Sequence, residues 1–188
     1  MKTLCSNSWL SLMQTDSGYV FAHETRCGGE IVAILPYRKK MSKGVPFYQY
    51  LFRAEWVPCW NPILKSIEVS GDLKKPKFAT IITGGVDKGN TPLETVQKEL
   101  REEAGYDSPK ENFVLLGTCA GTKSVDTVYY LYAIDVDSIG IKEVDVAGDG
   151  TENEKYAYCY WDYTIAGAVD PIVYTLHYRL NKYIEARR

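Results

Sequence analysis

The sequence lacks the features that mark membrane, exported and disulfide-bonded proteins. Its longest apolar stretches, residues 31–35 and 128–134, are far below the roughly 20 residues that a membrane helix needs. The N-terminus has neither the apolar core nor the small-residue cleavage site of a secretory signal. The cysteines form no C-x-x-C pair and no metal-ligand spacing, which predicts reduced, mostly buried thiols and a cytoplasmic location. They are Cys5, Cys27, Cys59, Cys119 and Cys159.

An excess of charge of one sign is also missing. The chain has 22 Lys and Arg against 24 Asp and Glu, a net charge of −2, and its longest basic run is Arg38-Lys39-Lys40. Nucleic-acid binding depends strongly on lysine and arginine contacts to phosphates, so this composition argues against a nucleic-acid partner. A chain of 188 residues that is 45% hydrophobic is long enough for one sizeable core, which predicts a single main domain.

Strand and helix patterns follow one another in an order typical of a mixed sheet flanked by helices. Aromatic and β-branched residues favour strands, here over residues 9–13, 19–23, 30–37, 48–57, 65–69, 77–83, 113–119, 127–134 and 156–161. The first two are predicted to form a hairpin, and residues 30–37 a strand buried on both faces. A helix is expected over residues 93–104, with Thr91 as its N-cap and Gly105 at its end. A last helix, residues 171–185, places Ile172, Leu176, Leu180 and Ile184 on one stripe.

The first helix carries an acidic face. Glu99, Glu102 and Glu103 fall within an arc of roughly 100°, where like charges repel one another. A divalent cation would compensate, and Mg²⁺ prefers a few carboxylates together with water and substrate phosphates. The glycines of the loop that precedes the helix, residues 84–90, let backbone approach such a ligand closely. From the acids alone, a solvated helix face remains the favoured alternative.

The spacing of the whole segment, however, favours a metal site over a solvated helix face. Gly84-x5-Asn90-x7-Lys98-Glu99-Leu100-x-Glu102-Glu103-x-Gly105-Tyr106 resembles the Nudix box, G-x5-E-x7-R-E-U-x-E-E-x-G-U, in which U is a bulky apolar residue. Seven of nine defined positions match, with Tyr106 counted as bulky. Asn90 and Lys98 depart from the Glu and Arg that pair in the family. A hydrogen bond between them would lack the fork of arginine, which predicts a looser loop and lower activity.

The resemblance implies an α/β fold, a Nudix-type α/β/α sandwich with a mixed sheet, preceded by an N-terminal β-hairpin. The implied division is residues 1–28 as N-terminal strands and residues 29–188 as the hydrolase domain. Residues 30–38, 49–58 and 78–89 are similar to the strands before the box in the ADP-ribose pyrophosphatase branch. Residues 1–28 are similar to strands that some of that branch use for dimer contacts, so a homodimer is an expectation.

The resemblance also implies a reaction, in which water attacks a phosphorus of a diphosphate within a small nucleotide derivative. The implied metal ligands are Glu99, Glu102 and Glu103, with the backbone carbonyl near Gly84 as an additional ligand, and the implied cofactor is Mg²⁺, with Mn²⁺ as the alternative. The general base is expected to be Glu152 or Glu154, in a late acidic loop, or Glu103. An ordinary solvated loop is an equal alternative for the first two.

Substrate recognition is the least determined part of the resemblance. Arg53 corresponds to an arginine that contacts phosphate in the ADP-ribose branch, Trp56 is placed to stack on a base, and Gly84 and Gly85 offer close backbone approach. A surface salt bridge and a core tryptophan are the favoured alternatives for the first two. A proline that the branch often carries past the box is missing, because residues 120–123 are Ala-Gly-Thr-Lys.

ADP-ribose or a related nucleotide sugar is therefore the leading substrate expectation. A nucleotide-binding sensor of weak activity and an RNA cap-removing hydrolase are the alternatives. His23 and His177 lie in no motif and are expected to be structural.

Overall fold

A seven-stranded mixed sheet, with one long helix on each face, organises the chain. The computed structural model describes residues 1–60, 63–64, 66, 76–146, 157–165 and 167–187. The strands are β1 (Lys2–Ser6), β2 (Leu10–Gln14), β3 (Val20–Glu24), β4 (Glu30–Ser42), β5 (Val45–Trp56), β6 (Lys77–Thr80), β7 (Ile82–Gly85), β8 (Tyr106–Asp107), β9 (Val114–Ala120), β10 (Val128–Asp135), β11 (Lys142–Glu143) and β12 (Ala157–Asp162). The α-helices are α1 (Pro92–Ala104) and α2 (Pro171–Glu185), and a 3₁₀ turn spans Lys110–Asn112.

The long strand β4 is the axis of the main sheet. The strand order is β12-β5-β4-β10-β9, with β6 beside β5 and β7 beside β4. The first part of β4 pairs in parallel with β10 and antiparallel with β7, whereas its second part pairs antiparallel with β5. One strand thus connects the glycine strand β7, which leads into α1, with the strand that carries Arg53.

The two faces of β4 bury different helices, which confirms the predicted sandwich. Val32 and Ile34 pack with Val96 and Leu100 of α1, whereas the alternate residues of β4 pack with α2. This alternation follows from the two-residue period of a strand. It also explains why the first half of β4 carries an unbroken run without charged residues, since residues 32–37 are all buried. The buried stripe of α2 is Val173, Leu176, Leu180 and Ile184, so Val173 takes the place predicted for Ile172, which is half-buried.

Helix α1 begins and ends where the sequence predicts. The Thr91 side chain accepts a hydrogen bond from the backbone of Glu94, and the Glu94 side chain accepts one from the backbone of Thr91. This reciprocal pair is a capping box. Gly105 ends the helix in the left-handed conformation (φ 69°), and a Cβ there would overlap the carbonyl oxygen of Val144. Both ends of the acidic helix are therefore fixed locally.

The N-terminal region is a three-stranded antiparallel sheet, β1-β2-β3, which contains the predicted hairpin and one additional strand. The hairpin exists as β2 and β3, and β1 adds a strand that the sequence pattern did not indicate because all five of its residues are exposed. The sheet joins the main body through a bridge between Ala22 and Val125, and His23 lies beside it, with Nδ1 2.7 Å from Oδ2 of Asp126. The domain boundary after residue 28 stays a prediction.

Three further expectations need adjustment. The predicted strand over residues 77–83 is split at Ile81 into β6, which pairs with β5, and β7, which pairs with β4. The strand predicted over residues 65–69 lies almost entirely outside the described residues. All five cysteines are free, but Cys5 and Cys59 are exposed, so the prediction of mostly buried thiols was wrong. Among the residues that the structure describes, neither helix has the length and apolar character to cross a membrane.

Candidate active site

The acidic face of α1 lies over the glycine strand β7. Glu99 is half-buried and lies against Gly84 so closely that a Cβ on Gly84 would overlap Cγ, Cδ and Oε1 of Glu99. Any other residue type at position 84 would displace the Glu99 side chain, because every other side chain begins with a Cβ. The missing side chain of Gly84 therefore creates the space that the Glu99 carboxylate occupies.

The second acidic residue of this face, Glu103, contacts a buried arginine. Nη1 of Arg53, on β5, forms an ion pair with Oε1 of Glu103. The two side chains are 7% and 10% exposed, so water screens the pair little. Nε of Arg53 also lies 3.2 Å from Oε2 of Glu55, and the Thr80 hydroxyl lies 3.1 Å from the other carboxylate oxygen of Glu55. Arg53 is thus the positive centre between two carboxylates.

The strand periodicity explains this arrangement. Arg53 and Glu55 are two residues apart on β5 and so face the same side of the sheet. Thr80 of β6 and Cys159 of β12 are both register partners of Arg53, on its two sides. Burial raises the pKa of the Cys159 thiol to about 12, and the nearby Glu103 carboxylate makes a smaller contribution in the same direction. Cys159 is therefore a protonated thiol, and its Sγ donates to the backbone oxygen of Glu103 over 3.4 Å.

Lys98 contacts the third acidic residue, Glu102. Its Nζ lies 3.6 Å from Oε2 of Glu102, one helical turn further along α1. Burial acts to lower the pKa of Lys98, but Glu102, Glu99 and Asp87 together raise it above the ordinary lysine value. The Asn90 side chain is exposed and makes no hydrogen bond to Lys98 within the described part of the chain. The two departures from the family box thus do not pair with each other.

The other predicted site residues lie at different distances from this cluster. Gly85 follows Gly84 on β7, and a Cβ on Gly85 would be 3.0 Å from Cβ of Cys27. Trp56 is half-buried at the end of β5 and, by strand alternation with Glu55, faces the opposite side of the sheet. Its role as a stacking residue stays a prediction. The predicted bases Glu152 and Glu154 lie outside the described residues.

The donor chemistry of the cluster fits a hard divalent cation. Carboxylate oxygens are the ligands that Mg²⁺ prefers, and the space above Gly84 brings Glu99 to the backbone of β7. Within the residues that the structure describes, no three Asp, Glu, His or Cys side chains converge closely enough to hold a metal ion. Glu103 and Glu102 contact Arg53 and Lys98 instead. A metal site on this face therefore requires at least these two carboxylates to turn from their basic partners.

Comparison with known proteins decides the family. The model of the NUDIX domain matches residues 68–171, more than half of the chain. The chain belongs to the Nudix family. Pyrophosphohydrolase is the enzyme class that this membership assigns, and Nudix hydrolases generally use divalent metal cations.

The fold of this Nudix chain is also that of a solved hydrolase. It is similar to a crystal structure of an ADP compounds hydrolase, with a TM-score of 0.65 and 11% sequence identity, over 99% of this chain and 92% of that one. At 11% sequence identity, this similarity supports the assignment of the fold alone. No curated protein sequence matches the chain.

Three residues of this Nudix site were not predicted from the sequence, namely Glu55, Thr80 and Cys159. Glu55 had a detectable signal, because a residue two positions after Arg53 on a strand shares its face. Thr80 and Cys159 reach Arg53 through the register of β6 and β12 against β5. No local pattern in the sequence encodes that register.

Proposed function

We propose that the chain is a Mg²⁺-dependent hydrolase that cleaves the diphosphate in a nucleoside diphosphate linked to another moiety. ADP-ribose or a related nucleotide sugar is the leading substrate. One observation carries the proposal: Glu99, Glu102 and Glu103, in the spacing of the family box, lie on one face of α1, and Glu99 fills the space left by Gly84. The described similarity to an ADP compounds hydrolase supports the choice of an ADP derivative.

In this proposal the three glutamates on the acidic face of α1 are the metal ligands. Glu99, Glu102 and Glu103 would hold Mg²⁺, with Mn²⁺ as the alternative and the backbone oxygen near Gly84 as an additional donor. A divalent cation supplies Lewis-acid polarisation of phosphate oxygens when bound. Of these three, Glu99 lies directly against the backbone of β7 at Gly84. The packing of Glu99 on Gly84 therefore places one proposed ligand, while Glu102 and Glu103 would turn from their basic partners.

Arg53 is the proposed phosphate-binding residue of the site. Its guanidinium lies between Glu55 and Glu103, and arginine recognises phosphate oxygens with the same planar fork that recognises carboxylates. With Glu103 as a metal ligand, the diphosphate would be the anion that Arg53 contacts. Glu55 holds the guanidinium in place during that exchange, so Arg53 does not need to leave its position on β5.

Proton abstraction from the attacking water is assigned to Glu152 or Glu154, with Glu103 as the alternative. A general base must reach the proton within hydrogen-bond distance. Glu103 already has two proposed tasks, as a ligand and as a partner of Arg53, which favours a separate base. The chemistry then divides between α1, which binds the metal, and the acidic loop, which accepts the proton.

The N-terminal sheet is the proposed dimer surface. Its strands and the turn before β2 expose several large apolar side chains, namely Leu4, Trp9, Leu10, Leu12 and Val20. Exposed apolar patches on soluble proteins commonly mark interfaces. A second copy of the chain is the partner that the family resemblance favours.

The test of the activity is a substrate panel. Mononucleotide release is measured from ADP-ribose, NADH, diadenosine polyphosphates, CoA, deoxynucleoside triphosphates and capped RNA, with Mg²⁺ and with EDTA. The proposal expects Mg²⁺-dependent release from ADP-ribose or a nucleotide sugar and little from capped RNA. Cleavage of capped RNA alone would overturn the substrate assignment, and equal cleavage in EDTA would overturn the metal assignment.

A nucleotide-binding sensor of weak activity is the second candidate. The observation that favours it is the contact of Lys98 with Glu102, which places a cation on a proposed metal ligand, while Asn90 leaves the loop without the ion pair of the family box. Tight binding of a panel member without any cleavage would establish this candidate in place of the hydrolase.

A further inference from the structure

Strand β12 places different kinds of side chain on the two faces of the sheet. Cys159 and Trp161 point to the side of α1, where they pack in the core cluster of that helix. Tyr158, Tyr160 and Asp162 occupy the alternate positions and face the side of α2. Tyr160 lies beside Phe52 of β5, its register partner, with ring centroids 6.0 Å apart, and 6.1 Å from the ring of Tyr158.

These rings line a cavity of about 330 Å³, here named the aromatic pocket. Its walls and rim include Phe52, Ala79, Tyr158, Tyr160, Asp162 and Thr164. The space is open because two of the lining residues, Ala79 and Ala168, have small side chains. A β-bridge joins these two residues, and Ala168 lies just before α2. Ligand pockets in proteins measure roughly 300–1,000 Å³, so this pocket has room for one heterocycle with its sugar and not for a dinucleotide.

The polar groups of the aromatic pocket favour hydrogen-bond donors over anions. One oxygen of Asp162, Oδ1, accepts from the backbone nitrogens of Tyr163 and Thr164, at 2.6 and 3.1 Å. Within the described residues, Oδ2 of Asp162 has no hydrogen bond, and this leaves it able to accept from a ligand. Among the described residues that line the pocket none is Lys or Arg, and the nearby Nζ of Lys77 lies over the ring of Tyr158, 4.6 Å from its centroid. The matching ligand is a flat ring that carries N–H groups.

The aromatic pocket is separate from the carboxylates of α1. Phe52 faces the pocket, whereas the next residue, Arg53, contacts Glu103 on the other side of the sheet. The same change of side separates Ala79 from Thr80, whose hydroxyl contacts Glu55. Two adjacent strands therefore form a wall between the two sites.

We propose that the aromatic pocket binds a nitrogen heterocycle of the nucleobase type, stacked on Tyr160 and hydrogen-bonded through its N–H groups to Asp162. The inference goes beyond the proposed function, since this binding needs neither a metal nor hydrolysis. The ring has two chemical sources, the terminal base of the substrate or a free nucleoside. The stacking and the hydrogen bond are the same for both.

The test measures binding of adenosine to the full chain in EDTA, by isothermal titration calorimetry and saturation-transfer NMR, with ribose 5-phosphate as a ligand that has no ring. Adenosine is expected to bind and ribose 5-phosphate is not. Stacking of a base on an aromatic side chain is worth roughly 1–3 kcal/mol by substitution, so Tyr160→Leu is expected to raise the Kd at least about fivefold. Leucine keeps an apolar side chain of similar size, which limits the cost to folding.

Two further variants distinguish the loss of the hydrogen bond to Asp162 from unspecific effects of a substitution near the pocket. Asp162→Asn keeps an oxygen for the turn and removes the charge, so the turn persists while the Kd for adenosine rises. Tyr163→Ala is the matched control, because Tyr163 is adjacent to the pocket, is 69% exposed and does not line it. An unchanged Kd is expected there. Absence of adenosine binding, equal binding of ribose 5-phosphate, or a folded Tyr160→Leu variant with wild-type affinity would each overturn the proposal.

Competition identifies the source of the ring. If adenosine inhibits hydrolysis competitively and Tyr160→Leu raises the KM, the base of the substrate occupies the aromatic pocket by passing around the edge of the sheet. If adenosine binds without competing, the pocket is a separate nucleoside site. Both outcomes support the pocket, and failure of all hydrolysis leaves the binding measurement in EDTA unaffected.

Discussion

Replacing Arg53 by methionine is expected to lower the free energy of unfolding, because the substitution removes the buried ion pair with Glu103. The variant keeps a long apolar side chain and removes the cation, so Glu103, 10% exposed, loses its ion pair with Arg53. Breaking one partner of a buried pair costs about 3–5 kcal/mol, because the remaining charge is uncompensated. Glu55, the other partner, is 30% exposed and regains water, so the lower end, about 3 kcal/mol, is expected.

Urea unfolding in EDTA measures this cost. With a urea dependence of roughly 1–3 kcal/mol/M for a protein of this class, the unfolding midpoint should fall by about 1–3 M. Arg101→Met is the matched control, since Arg101 is exposed on the same helix as Glu103, and its effect should stay within about 0.5 kcal/mol. Adding Glu103→Gln to Arg53→Met should recover part of the loss. A loss below about 1 kcal/mol, or strict additivity of the two changes, would refute the reasoning.

Three further predictions concern the helix, its loop and α2. Gly84→Ala places a Cβ on the Glu99 side chain; hydrolysis should fall at least about tenfold, with α1 intact by circular dichroism, and unchanged hydrolysis would contradict the close packing. The double change Asn90→Glu with Lys98→Arg restores the ion pair of the family box, so turnover should rise; a fall would show that the loop is already optimal. Burial lowers the pKa of His177 below 6.5, so the free energy of unfolding should decline as the pH falls below about 6.5, and His177→Gln should remove that part of the slope in urea titrations.

The helices could be predicted from the sequence because their ends are encoded locally. Asp170 precedes Pro171 and caps α2 through its side chain, while Thr91 and Gly105 bound α1. The apolar run that becomes β4 was equally clear, since a strand covered on both faces needs apolar residues at every position. β1 was missed because its exposed side chains follow no burial pattern.

The candidate site was predictable only in part, for a physical reason. Helical periodicity alone places Glu99, Glu102 and Glu103 on one face, and the box spacing adds Gly84. The contact between Arg53 and Glu103 joins residues 50 positions apart in sequence and depends on how β5 lies beneath α1. The aromatic pocket likewise depends on the pairing of β12 with β5, which no local pattern specifies.

Hydrolysis of ADP-ribose by the wild-type chain and by Glu103→Gln, each with Mg²⁺ and with EDTA, tests the central claim most directly. Glu111→Gln, which changes an exposed glutamate outside α1, serves as the control. Cleavage is expected to require Mg²⁺, to be retained in Glu111→Gln, and to fall by about two orders of magnitude or more in a folded Glu103→Gln variant. Near-normal turnover of Glu103→Gln, or cleavage that persists in EDTA, would contradict the assignment of the α1 glutamates as metal ligands.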